Sequence, residues 1–216
     1  MMKEKLLATE QGSKPVVYPI VNVNVEGIEC RALLDTGAGS SYASAALLDR
    51  LPKRSQSKEV RKIEMMLGSS TREMCLSKIN VESVNGKEKL EVEVTRVERG
   101  KLFTVDNPHY PDIIKSFKHL EGVTIVDNDP KPFLPVHLIL GASDYGAIKT
   151  AEPARLGELG EPVAEKTKFG WTLMSLGKEL DHSKMLLTQT SYTDYEELCR
   201  LDVLGLEDRA EHDQET

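Results

Sequence analysis

Apolar residues fall on alternate positions at Val21, Val23 and Val25, the period of a strand with one buried face. Glu26-Gly27 interrupts the pattern, and Ile28 to Leu34 resumes it and runs straight into Asp35. Residues 16–35 therefore predict two antiparallel strands around a tight turn. Ser44 through Leu51, with Ser44 as the cap and Pro52 just past the end, predicts a short helix. Residues 53–62 are polar and charged and predict a loop. Ile63 to Leu67 and Arg72 to Leu76 predict two strands joined by a turn at Gly68-Ser69-Ser70-Thr71, a projecting hairpin. A further hairpin centres on Asn85-Gly86, entered by Ile79, Val81 and Val84 and left by Leu90, Val92, Val94 and Val97.

Beyond residue 100 the pattern loosens. Five of the ten prolines lie in 100–136, which predicts an insertion that leaves the body, holds a short helix over 112–120 and returns at Val136. Leu138-Ile139-Leu140-Gly141 is a short, wholly apolar run closed by glycine, the mark of a buried strand. Phe169 to Met174 predicts another strand and carries the only Trp. From Asp181 the character changes: residues 194–216 hold nine acidic residues against two basic ones, which predicts a linker or solvated tail.

Composition narrows the function classes. A hydrophobic content of 39% with 29% charged residues is that of a globular chain. The net charge of −7 disfavours nucleic-acid binding, whose affinity comes from neutralising phosphates with Lys and Arg. The one dense basic cluster, Lys53, Arg54, Lys58, Arg61 and Lys62, reads as a solvated surface. Three scattered cysteines imply a reducing, intracellular setting rather than a disulfide framework. The five histidines nowhere take metal-ligand spacing, so neither metal nor organic cofactor is expected. No apolar run approaches the roughly 20 residues of a membrane span, and no membrane partner is expected.

The chemistry concentrates in Leu33-Leu34-Asp35-Thr36-Gly37-Ala38-Gly39-Ser40-Ser41. An aspartate at the end of a buried strand, set beside a second copy of itself, gives two carboxylates that cannot both ionise cheaply. At about 3 Å apart they share one proton near neutral pH. The ionised member can activate water against a peptide carbonyl while the protonated one donates to the carbonyl oxygen. Gly37 lets the backbone turn away, and the Thr36 hydroxyl can hydrogen-bond across the pair. Ala38 offers no hydroxyl to stabilise the ionised form, which implies a weakly acidic rather than strongly acidic optimum. Chance alone yields Asp-Thr-Gly in such a chain with odds on the order of a few per cent, and an ordinary strand-end turn would use the same residues.

Two further segments add weight to that motif: the hairpin around Gly68, placed where a flap over a cleft belongs, and the Leu138 to Gly141 strand. With them, the chain resembles the aspartic protease of BEL/Pao-type retrotransposons, within the retropepsin group. The likeness runs through Ala32 to Tyr42, Val136 to Tyr145 and Glu161 to Thr172, including Thr167 to Trp171, about residues 15–177 in all. The resemblance implies a mainly β acid-protease barrel with one or two short helices, one half of a homodimer. It makes Asp35 the catalytic aspartate, supported by Thr36, Gly37 and Ala38. It places a flap at Leu67, Gly68, Ser69, Ser70 and Thr71, and a core strand at Leu138, Ile139, Leu140 and Gly141 beside the catalytic loop. Residues 1–14 become an N-terminal extension, 100–136 an insertion, and 178–216 an acidic linker toward a reverse transcriptase. The implied partners are a second copy and an extended peptide, naturally a Gag-Pol polyprotein. Ala142-Ser143 shifts the register after Gly141, so Asp144 is read as a structural hydrogen bond or helix cap.

Other readings fare worse. Gly37-Ala38-Gly39 lacks the third glycine and the Lys-Ser/Thr of a phosphate loop. Gly39-Ser40-Ser41-Tyr42-Ala43 lacks the closing glycine of a nucleophile elbow. Cys75 has no local support as a thiol nucleophile. The remaining alternative is a retropepsin-like module kept for dimerisation or peptide binding after loss of activity.

Overall fold

The first hairpin owes its geometry to two left-handed residues. Glu26 and Gly27 take φ of 51° and 91°, the pair that matches a two-residue turn to the strand twist. The turn joins β1 (Ile20–Val25) to β2 (Ile28–Leu34), with Val23 opposite Cys30. The computed structural model describes residues 16–52, 55–65 and 68–175. They continue through β3 (Ser41–Ser44), α1 (Ala45–Leu48), β4 (Ser57–Met65), β5 (Gly68–Ser83) and β6 (Lys89–Val97). Next come β7 (Phe103–Asp106), α2 (Tyr110–Ser116), a single 3-10 turn (Lys118–Leu120) and β8 (Phe133–Val136). The order closes with β9 (Leu138–Leu140), α3 (Ala142–Ile148), β10 (Val163–Thr167) and β11 (Gly170–Met174).

One sheet runs β1-β2-β9-β3-β6-β5-β4, and β1 also pairs with β5, so six strands close on themselves and β4 hangs on β5. Closure removes the free edges that open sheets leave. The interior is aliphatic: Val23, Val25, Ile79, Val81, Val92, Val94, Leu138 and Leu140 are buried to within 1% of completely. Each such side chain contributes about 1.5–3 kcal/mol by leaving water. The architecture is mainly β and closed, as expected, with three short α-helices among the described residues rather than one or two.

Ser44 caps α1 by accepting from the Leu47 N–H, as its position before the apolar run predicts. The Asn85-Gly86 hairpin forms between β5 and β6, with Gly86 at φ 70°. Three local expectations change. Residues 57–62 are strand, not loop. Ser57 to Val60 and Lys62 are exposed, so pairing with β5 needs no apolar alternation from them. Arg72 to Leu76 and Ile79 to Ser83 form one continuous strand, because the intervening Ser77 is buried in the ladder opposite Val94 rather than marking a break. Gly68 to Thr71 open that strand instead of making a turn; residues 66 and 67 lie outside the described part. The described residues fall into two compact units, residues 61–72 in one and the remainder in the other. The expected extension 1–14 and linker 178–216 also lie outside the described residues.

The insertion is more ordered than its prolines indicate. β7 and β8 pair antiparallel, Phe103 opposite Val136, and form its stem. Tyr110, Leu120 and Val123 then meet Val17, Ala164, Trp171 and Leu173 in a second core. The helix expected over 112–120 is two pieces, α2 and the 3-10 turn, parted at Phe117, which is extended at φ −128°.

A buried ion pair ties the insertion to β2. Arg31 donates from Nε to Asp127 Oδ2 (2.6 Å) and from Nη2 to Asp127 Oδ1 (2.8 Å) and Asp129 Oδ2 (3.2 Å). The Lys131 N–H and the Arg31 guanidinium hold the Asp129 carboxyl below its ordinary value. Burial, helped by Arg50, Arg31 and Lys101, pushes His137 down as well. Both groups bind protons less readily folded than unfolded, so each contributes stability above its ordinary value and loses it as pH falls. The thermal unfolding midpoint is therefore expected to drop on acidification, first below the histidine value of 6.5 and again below the carboxylate value of 3.8. Melting curves over about pH 8 to 3 check this; a midpoint that rises in acid would contradict it.

Candidate active site

Asp35 stands where β2 ends, and β9 explains why the chain stops there. β9 wedges between β2 and β3, parallel to the first (Leu34 beside Leu140) and antiparallel to the second (Tyr42 opposite Ile139). Consecutive strands β2 and β3 are thus split by a strand from 100 residues downstream, and residues 35–40 must arch over its end. The Asp35 N–H donates to Leu140 O at 3.0 Å, which fixes the backbone at the root of the carboxylate. Asp35 is half-buried, while Thr36, Gly37 and Gly39 are exposed. The carboxylate accepts the Gly37 N–H at 2.8 Å, so the loop holds its own acid in place.

The far side of the arch is fastened to the start of α3. The Ala142 N–H donates to Ala38 O (2.9 Å) and the Gly141 N–H to Ser41 Oγ (2.9 Å). Ser41 Oγ in turn donates to Asp144 Oδ2 at 2.5 Å. Asp144 lies in the first turn of α3, so its role is the structural hydrogen bond anticipated above. Charge-assisted bonds of this kind are short and about twice as strong as neutral ones. The sequence did not point to Ser41; its one signal was a small polar residue at the end of a glycine-rich turn.

Glycine at 141 is a packing requirement. A Cβ there would sit 2.7 Å from Ser40 O and 2.8 Å from Ala38 O, both backbone atoms of the arch. Gly141→Ala must push the arch off β9. The expected cost is about 1–3 kcal/mol of stability, with loss of any activity that depends on Asp35. Thermal unfolding measures the first; a variant as stable as the parent would contradict the packing argument.

The expected site residues therefore divide. Asp35, Thr36, Gly37 and Ala38 occupy one arch, against Leu138, Ile139, Leu140 and Gly141. Gly68, Ser69, Ser70 and Thr71 begin β5, in the second compact unit, and Leu67 lies outside the described residues. No rival nucleophile is activated at Cys30, whose thiol burial pushes up to about 12, the opposite of what a reactive thiolate needs. Among the described residues no group of His, Cys, Asp or Glu is placed to hold a metal ion, and no helix is long and apolar enough to cross a membrane.

No protein-family model matches the chain, and no curated protein does. Among solved structures it is similar to the solution structure of the simian foamy virus (mac) protease. The two are 16% identical over 59% of this chain and 91% of that one, with a TM-score of 0.29. It is also similar to the foamy viral protease-reverse transcriptase in complex with an RNA/DNA hybrid, with 18% identity over 65% of this chain and a TM-score of 0.33. There it spans only 13% of the partner's length. Scores this low leave the chemistry to the geometry around Asp35.

Proposed function

We propose that the chain is an aspartic endopeptidase that works as a homodimer, with one Asp35 from each copy forming the catalytic pair. The observation that supports this most is the arch itself. A carboxylate at a strand end accepts the Gly37 N–H of its own loop, the backbone N–H beneath it donates to the Leu140 carbonyl, and an exposed Thr-Gly stands beside it. That rigidity is what catalysis by two acids needs, since a small misplacement of the reacting groups costs orders of magnitude. A single Asp-Thr-Gly in 216 residues supplies half of such a pair, and a two-fold axis supplies the other half.

In this reading the two carboxylates share one proton, the ionised one deprotonates a water, and the other donates to the scissile carbonyl oxygen. The Thr36 hydroxyl hydrogen-bonds across the pair. The substrate is an extended peptide, bound by strand-like hydrogen bonds, with the segment around Gly68–Thr71 as flap. The natural substrate is a retrotransposon Gag-Pol polyprotein of the BEL/Pao type, which rests on sequence resemblance alone.

The test is cleavage of a mixed peptide library by the full chain between pH 4 and 7, with its mass in solution measured alongside. Cleavage by a dimer is expected, strongest in the weakly acidic range. A dimer that binds peptides and cleaves none would replace the enzyme with a peptide-binding module.

A further inference from the structure

Two features of the chain stay outside the proposed chemistry, and they complement each other. The first is β4. It ends the seven-strand order, and among the described residues only β5 pairs with it. Its residues Ser57 to Val60 and Lys62 are exposed, Val60 to 71%. Exposed edge strands invite pairing with another chain unless something manages them. This one carries Lys58, Arg61 and Lys62 and follows Lys53-Arg54, so residues 53–62 hold five basic residues against one acidic.

The second is the segment 194–216. Its nine acidic and two basic residues account by themselves for the whole chain's net charge of −7. The rest of the molecule is neutral overall, and its dense positive stretch is 53–62, which leads into and begins β4. Residues 201–208, Leu-Asp-Val-Leu-Gly-Leu-Glu-Asp, interleave acids with apolar side chains. Their pattern suits a strand that shows an exposed valine between cations.

We propose that the outer part of β4, around Arg61 and Lys62, is a docking edge for the acidic segment 194–216 of the same chain. Reach does not limit the contact. The 18 residues 176–193 can span up to about 60 Å when extended, against a diameter of roughly 40 Å for a domain of this size. Tethering raises the effective concentration to the millimolar range, where a weak, charge-led contact is populated. Screening sets its salt dependence, because the Debye length falls from about 30 Å at 0.01 M to about 3 Å at 1 M.

The test is zero-length carbodiimide coupling on the full chain at low salt, with linked peptides read by mass spectrometry. Equal amounts of normal and nitrogen-15-labelled chain are mixed beforehand. Built-in controls are Lys58 with Glu73 (2.6 Å) and Lys89 with Glu82 (2.8 Å), which report that the sheet is folded. The expected result is a link from Lys62 to one or more of the acids at 194–215, within one isotopic label. It should weaken at least several-fold at 1 M salt and in Arg61→Glu. Control links without any link from Lys62 to 194–215 would overturn the proposal. So would acids at 194–215 coupling equally to lysines all over the surface. Links found only between labels would overturn the same-chain occupant and assign the edge to a second copy.

Discussion

Asp35→Asn is expected to remove peptide cleavage while leaving fold and dimer intact. Asparagine keeps the shape of the side chain, and its amide oxygen can still accept the Gly37 N–H that the carboxylate now accepts. The Asp35 N–H bond to Leu140 O belongs to the backbone and is unaffected. Lost are the charge that would activate water and the proton that the proposed pair would share. Positioned acid–base groups contribute about 10²–10⁴-fold each, and the two-fold axis changes both members together. A fall of at least about 10³-fold in kcat/KM is expected, with an unchanged melting midpoint. Sedimentation of the variant is expected to find the same proposed dimer as the parent. Measured cleavage within tenfold of the parent would remove Asp35 from the chemistry.

Breaking the Arg31 clasp carries the largest expected stability loss. Arg31 and Asp127 side chains are 11% and 5% exposed, and the pair is bidentate. Removing one partner strands a buried charge, which costs about 3–5 kcal/mol. Arg31→Met should therefore lower the unfolding free energy by that amount, and Asp127→Leu by less, because Arg31 keeps its bond to Asp129. The double variant should recover much of it, because a buried ion pair and an apolar pair of similar volume are nearly equivalent. Denaturant unfolding of the two single variants and the double variant measures the coupling directly. If the two single losses sum to the loss in the double variant, the pair has no coupling and the insertion is held by its apolar core alone. Arg31 sits on β2 four residues before Asp35, so the clasp fixes the strand at whose end the acid stands.

Much of this was legible in the residues. The period-two run from Val21 to Val25, the Glu26-Gly27 turn and the apolar strand ending on Asp35 follow from patterning, because each has one buried face. The Leu138 to Gly141 run also told its place, since a strand buried between two neighbours reads as wholly apolar. Less legible was β4, where the barrel ends and both faces meet water, so no hydrophobic period is imposed on Lys58 to Lys62. The insertion misled through its prolines. Its order comes from contacts distant in sequence, Tyr110 and Leu120 on Trp171 and Leu173, which no local pattern encodes. The strongest overlooked signal was Arg31, a charge that opens the apolar run into Asp35. Such a residue requires a buried acidic partner, and Asp127-Asn128-Asp129 was the one to seek in the insertion.

The central claim is that each active site takes one aspartate from each of two chains, and the dependence of rate on chain concentration tests it most directly. With a cleaved peptide in hand, activity is measured over a wide dilution series spanning the dimer dissociation constant found by sedimentation. The expected result is a rate that grows as the square of chain concentration well below that constant and linearly above it. A rate that stays linear throughout, in solutions where sedimentation finds only monomer, would mean that one chain holds a complete site and would contradict the shared pair.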